Sequence, residues 1–322
     1  MPKSYQTILT YLTLYYEGIS YKKCLQILEH RDPEFDILQY IDKIEFDYPE
    51  ATQRARSYLK SHASQIESIL HIGHPDYPNE LYKLDHPPCL LFLRGNKNLL
   101  TQKRVSMVGS RKPCLLSVAL TAHIAKYFSE AGYVTVSGLA AGIDGIVHEN
   151  SLEGGTIAVL GHGFNYIYPK QHEHFYKMAK QQSKDILILT EHPDDTIPRH
   201  YLFPKRNRII AALGESLFFL NGGKKSGALI SVKEAQKLQK STFYMNHSLQ
   251  KNNEGVRQIR LSGKESTDIT KDFPLTIKTQ LCKEDFKENP RYIGNSRWVF
   301  INRENFSQLP FLPAQADLCF PE

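Results

Sequence analysis

The rhythm of apolar and polar positions changes along the chain. Over residues 1–70 it is helical: Ile8, Leu9, Leu12, Tyr15 and Tyr16 share one face, and Cys24, Leu25, Ile27 and Leu28 repeat the spacing. Gly18-Ile19-Ser20 divides the two, with Ser20 placed as an N-cap. A further helix is predicted over 51–69. Prolines punctuate 71–96 and forbid a regular helix, while 90–93 reads as a strand. From Arg104 onward short β-branched runs alternate with helical stretches. Strands are predicted over 105–108, 134–136, 157–160, 186–189, 216–220 and 242–245. Helices are predicted over about 116–131, closed by Gly132, then over 204–213 with Pro204 in the first turn and Gly214 at the end, and up to about 239. Residues 256–261 read as one more strand. Beyond Gly263 the chain is polar, Pro-spotted and weakly periodic.

Strands alternating with helices predict a doubly wound, mainly parallel sheet. The expected fold class is α/β and Rossmann-like. A small helical unit (1–70) precedes the main domain (71–263), and an irregular C-terminal extension (264–322) follows it. In such sheets the loops after the strands gather at one ligand crevice. Here they carry Gly109-Ser110-Arg111, Ser137-Gly138, Gly161-His162-Gly163 and the run Lys224-Lys225-Ser226-Gly227. Small residues let backbone N–H groups approach an anion, so the crevice is expected to take one.

The stretch with most cations lies between two strands: I-P-R-H-Y-L-F-P-K-R-N-R-I-I-A-A-L-G. Lys205, Arg206 and Arg208 crowd a helix N-terminus, which is unfavourable for cations unless an anion binds there. With no carboxylate nearby in sequence, they read as phosphate contacts, with Phe203 and Tyr201 as base-stacking rings. The residues alone equally allow solvated cations and core rings.

Charge and composition narrow the class. The chain of 322 residues has a formal net charge of +6, a mild pointer to a polyanionic partner. No apolar run approaches the ~20 residues of a membrane span, so no membrane association is expected. The N-terminus is too polar for a signal peptide, and the scattered cysteines, odd in number, fit neither a disulfide framework nor a zinc site, so the expected compartment is the cytoplasm. His71, His74, His86 and Asp76 match no usual metal spacing; neither a metal nor a cofactor is expected.

Several motifs together resemble the DNA-processing protein A (DprA/Smf) family: V-S-M-V-G-S-R at 105–111, S-G-L-A-A-G-I-D at 137–144, His148, G-G-T-I-A-V-L-G-H-G at 154–163, Tyr168-Pro169, F-P-K-R-N-R-I-I-A-A-L at 203–213 and S-G-A-L-I-S at 226–231. Tyr77-Pro78 and Pro87-Pro88 in the connector belong to the same pattern. The resemblance implies an extended Rossmann fold, often preceded by a SAM-like helical domain. It also implies a homodimer that binds and protects single-stranded DNA, loads the RecA recombinase onto it in natural transformation, and is not an enzyme. Carried over by motif, DNA contacts would come from Ser110, Arg111, Ser137, Gly138, Lys205, Arg206, Arg208, Ser226 and Gly227. Phe203 would stack on a base, and Asn207 would bond a phosphate or a base edge. Asp144 would brace its loop and His148 would pack within the fold.

The sequence departs from the family at Asn221, where Glu is frequent, at Met245-Asn246-His247, where Val-Pro-Gly is usual, and over 253–257. These departures fall where the family's dimer contacts lie. The last sixty or so residues lack the periodicity of the winged helix some members carry. The rival reading is a nucleotide phosphoribohydrolase of the lysine-decarboxylase-like type. It needs P-G-G-x-G-T-x-x-E, but Gly222-Gly223 is followed by Lys224-Lys225-Ser226 and Glu234 comes too late.

Overall fold

A computed structural model describes residues 3–19, 41–245, 254–261 and 266–268. Ser20, the helix expected around Leu25, the altered residues Asn246 and His247, and nearly all of the C-terminal extension lie outside the described residues. The elements in chain order are α1 (Lys3–Tyr16), α2 (Ile41–Asp47), α3 (Pro49–Ser61), β1 (Ile69–His71), β2 (Leu90–Gly95), β3 (Arg104–Gly109), α4 (Leu115–Glu130), β4 (Val134–Ser137), α5 (Ile143–Glu149), β5 (Thr156–Leu160), α6 (Glu173–Lys180), β6 (Ile186–Thr190), α7 (Leu202–Leu213), β7 (Ser216–Asn221), α8 (Ala228–Lys237), β8 (Ser241–Tyr244), α9 (Gly255–Leu261) and β9 (Thr267–Asp268).

The strands form one sheet in the order β1-β2-β6-β5-β4-β3-β7-β8-β9. From β6 to β9 every pairing is parallel, and the antiparallel β2 and β1 extend the β6 edge. The β-branched runs are continuous because both sheet faces are covered: every residue of β5 and β6 is buried. On one face Val136, Val159 and Leu189 pack with Ile209 and Ile210 of α7 and Leu229 and Val232 of α8. On the other, Val105, Met107 and Phe218 pack with Ile124 and Phe128 of α4 and Val147 of α5. Ile8 and Leu12 of α1 and Leu59 of α3 join Phe92, Leu160 and Ile188 in the remaining cluster. The N-terminal helices therefore lie on the sheet and share its core. No helix among the described residues is long and apolar enough to cross a membrane.

Two elements differ from expectation. The helix predicted over 51–69 stops at Ser61; a 3₁₀ turn covers Ala63–Ser68, and Ile69 begins β1. The strand predicted over 256–261 is the helix α9, because Val256 and Ile259, three residues apart, are its buried pair. Pro204 falls within the first turn of α7, where its missing N–H has no helical partner to lose. At the other end, Arg104 Nε donates to the Leu213 carbonyl at 2.9 Å, and Lys240 Nζ donates to the carbonyls of Ala212 and Gly214. Cations thus satisfy the last carbonyls of α7 and complement its dipole.

Candidate functional site

The chain runs β3, β4, β5 and β6 outward in one direction, then returns so that β7 pairs with the other edge of β3. That reversal is the switch point at which doubly wound sheets open a crevice. A cleft of about 460 Å³ lies there, lined by Gly109 to Lys112 after β3, by Gly223 and Ser226 to Ala228 after β7, and by His200, Phe203, Pro204, Arg206 and Asn207 around the start of α7. The N-termini of α7 and α8 both reach it.

Close knitting of two loops shapes the β3 side. Ile143, the first residue of α5, donates its N–H to the Ser110 carbonyl at 3.0 Å. This approach requires Gly142, whose φ is +82° and whose added Cβ would stand 2.7 Å from the Arg111 carbonyl carbon. The Ser110 hydroxyl accepts the Lys112 N–H at 3.1 Å. Arg111 is exposed, with its guanidinium 5.4 Å from the centre of the Phe203 ring. On the β7 side the Ser226 hydroxyl accepts the Ala228 N–H at 3.3 Å. The Asn207 amide ties the start of α7 to this side by donating to the Gly227 carbonyl at 3.0 Å.

Beneath this surface lies a buried polar layer. Arg206 lines the floor yet is only 3% exposed, and it donates to the Val159 carbonyl. Burial lowers its pKa to about 10, against the pull of Asp144, so it remains a cation at neutral pH. Burial in turn raises the Asp144 carboxyl, against the pull of Arg206. The Asp144 carboxylate accepts the Ala140 N–H at 3.4 Å, which braces the loop. His148 is fully buried. Its Nε2 accepts the Leu139 N–H at 3.3 Å, so Nδ1 carries the proton and bonds Thr156 Oγ1 at 2.7 Å. Burial lowers its pKa to about 3, leaving it neutral. His172 Nδ1 donates to the Leu139 carbonyl at 2.9 Å, so both ends of Leu139, whose φ is +54°, are held.

Of the residues singled out from sequence, Ser110, Arg111, Phe203, Arg206, Asn207, Ser226 and Gly227 meet in this cleft. Others do not. The Ser137 side chain is fully buried, donates to the Met107 carbonyl at 2.7 Å and sits beside the Asp144 carboxyl, so it is engaged inside the fold and is not among the cleft-lining residues. Gly138 makes room for Arg206: a Cβ there would overlap the guanidinium. Lys205 is exposed and is not among the lining residues; its Nζ lies 5.4 Å from the centre of the Tyr201 ring. Arg208 is not an unpaired cation, because Glu191, at the end of β6, holds it in an ion pair. Lys112 and His200 line the cleft and were missed; the signal for Lys112 was its place directly after Gly109-Ser110-Arg111. Glu234, considered for the hydrolase reading, pairs with Lys237 at 2.8 Å and is not among the lining residues, whose sole described carboxylate is Asp144.

Fold and cleft define a Rossmann-like α/β protein with a cationic, aromatic-rimmed crevice at its switch point. The family model for DNA recombination-mediator protein A matches residues 68–272, and the chain belongs to that family. It is 34% identical over 211 residues to DNA processing protein DprA of Bacillus subtilis, a match covering 65% of this chain and 69% of that protein. It is 35% identical over 197 residues to protein Smf of Synechocystis, covering 59% of this chain and 49% of that one. Among solved structures, DprA from Streptococcus pneumoniae superposes with a TM-score of 0.65 at 28% identity, covering 79% of this chain and 92% of that one. A Helicobacter pylori DprA structure, described by its single-stranded DNA binding mode, superposes with a TM-score of 0.54 at 30% identity, covering 60% and 87%.

Proposed function

We propose that this protein binds single-stranded DNA in the switch-point cleft, protects the strand and passes it to the RecA recombinase in recombination and natural transformation. In this reading it acts as a cytoplasmic homodimer and catalyses no reaction. The observation that carries the DNA-binding part is the pairing of an exposed cation with a ring at the mouth of the cleft: Arg111 over Phe203 at 5.4 Å. A phosphate suits the guanidinium and the adjacent helix N-termini, and an unstacked base suits the ring. The Helicobacter relative described as binding single-stranded DNA supports the same choice. Asp144, the sole carboxylate among the described lining residues, accepts the Ala140 N–H of its own loop, and this bracing role favours binding over hydrolysis.

The test is an anisotropy titration of the full chain with a single-stranded oligonucleotide and its duplex. Preference for the single strand, weakened by salt, is expected; equal affinity for the duplex would overturn the reading. Release of adenine from AMP by the same preparation would overturn its non-enzymatic part.

A further inference from the structure

Next to the cleft-lining Phe203 stands an aromatic residue that the cation-and-ring pair does not use. Tyr168 is 42% exposed, although its backbone is held: the Tyr176 hydroxyl accepts its N–H at 3.5 Å and donates to its carbonyl at 3.2 Å. Its ring lies 5.6 Å from that of Phe203, centre to centre, tilted by 30°. The buried His162 ring, fixed by an Nδ1 bond to the Gly163 carbonyl at 2.9 Å, sets its edge against both rings at 6.4 and 6.5 Å. Phe203 therefore neighbours both Arg111 and Tyr168, with the His162 ring edge-on to the two aromatic rings.

The spacing constrains what these rings can hold. A base sandwiched between two rings needs their centres about 7 Å apart, twice a contact distance of ~3.5 Å. Phe203 and Tyr168 are closer than that, so they cannot clamp one base between them. They are instead adjoining rings tilted by 30°, each of which can take a flat group of its own. A tyrosine ring with an apolar body and a polar tip, placed beside a cleft-lining ring, suits a contact surface. Arg111 and Lys112, lining the cleft beside it, ask for anions. The occupant that supplies flat rings and anions in alternation is a run of nucleotides.

We propose that Tyr168 is a second base-stacking platform. It receives the base next along the strand from the one over Phe203, so the cleft grips two successive nucleotides, with their phosphates on the Arg111 and Lys112 side. Stacking is blind to base identity because every base has a π-face, so the pair adds length preference without sequence preference. This rests on the single-strand reading above.

The experiment uses the full chain and thymidine oligonucleotides with one 2-aminopurine moved position by position. With an oligonucleotide no longer than the bound stretch, which fixes the register, fluorescence in the unsubstituted protein should be quenched at two adjacent positions. Tyr168→Ala should lose the quench at one of them and weaken binding about 5- to 150-fold, with the salt slope unchanged. Tyr168→Phe should restore both, and Tyr168→Leu, which keeps an apolar body, should not. Circular dichroism and thermal melting confirm that each variant is folded. If Tyr168→Ala binds as the unsubstituted protein does while Phe203→Ala is weakened, the second platform is overturned and the DNA-binding reading stands. If Tyr168→Phe is as weak as Tyr168→Ala, the hydroxyl and not the ring is responsible, and the proposal is wrong. If the unsubstituted protein shows no preference for single strands, both fall.

Discussion

Arg208 grips Glu191 with two guanidinium nitrogens, at 2.7 and 2.6 Å, while its Nε donates to the His86 carbonyl at 2.9 Å. This cation therefore joins α7 to the end of β6 and to the connector, and it has little left to offer a phosphate. Burial works to raise the Glu191 carboxyl, but Arg208 outweighs it and holds the pKa below the ordinary value. Arg208→Ala strands a largely buried carboxylate and should cost about 3–5 kcal/mol of stability. Chemical denaturation checks this. The salt slope of DNA binding should stay as it was, because no phosphate contact is removed.

Arg111 should behave in the opposite way. It is exposed at the cleft mouth, so Arg111→Ala should leave the melting temperature nearly unchanged. Binding should weaken, and the slope of log K against log[salt] should flatten by ~0.7, the value for one phosphate contact on a single strand. Phe203→Ala separates the other component: a loss of ~1–3 kcal/mol in affinity with the slope preserved. Anisotropy titrations at several salt concentrations read both.

The parallel sheet was legible because its strands are buried on both faces and so read as unbroken apolar runs such as 157–160. The crevice followed from the Gly-rich loops that end β3, β4, β5 and β7. Burial of particular side chains was not legible. Ser137 looks like a loop hydroxyl, but its Oγ turns toward the Met107 carbonyl of the neighbouring strand. Arg206 and Arg208 look like surface cations, but the fold engages each: Arg206 donates to the Val159 carbonyl of β5 and feels the charge of Asp144, and Arg208 is ion-paired with Glu191 from the end of β6. β1 is three residues long, too short to break a helical pattern. The antiparallel placement of β2 against β6 depends on contacts nearly a hundred residues apart, which no local pattern encodes.

Gly142 and Gly132 make a controlled comparison. Both have positive φ, +82° and +79°, so alanine at either carries a backbone cost of ~1–3 kcal/mol. A Cβ on Gly132 meets nothing within 4 Å, whereas one on Gly142 runs into Ser110 and Arg111. Gly142→Ala should therefore be the more destabilising and should also weaken DNA binding by displacing Arg111. Gly132→Ala should bind normally once folded. Melting temperature and affinity measured on both variants test the distinction.

His148 predicts how stability responds to acid. Burial, with His172 and Arg206 nearby, depresses its pKa from an ordinary 6.5 to about 3. Above pH 6.5 both folded and unfolded chains hold this imidazole neutral, and its contribution is fully present. As pH falls toward 3 the unfolded chain takes up a proton that the folded chain refuses, because Nε2 already accepts the Leu139 N–H. Stability should then fall by about 1.4 kcal/mol per pH unit from this residue alone. His172, also depressed by burial, adds a loss of the same sign. Glu191 adds a loss only at lower pH, below the ordinary carboxylate range. His148→Gln should be less stable at pH 7.5 yet lose less between pH 6.5 and 4.5. The difference between the two urea-denaturation series isolates the imidazole, and parallel curves would rule out a neutral buried His148 as the acid-sensitive group.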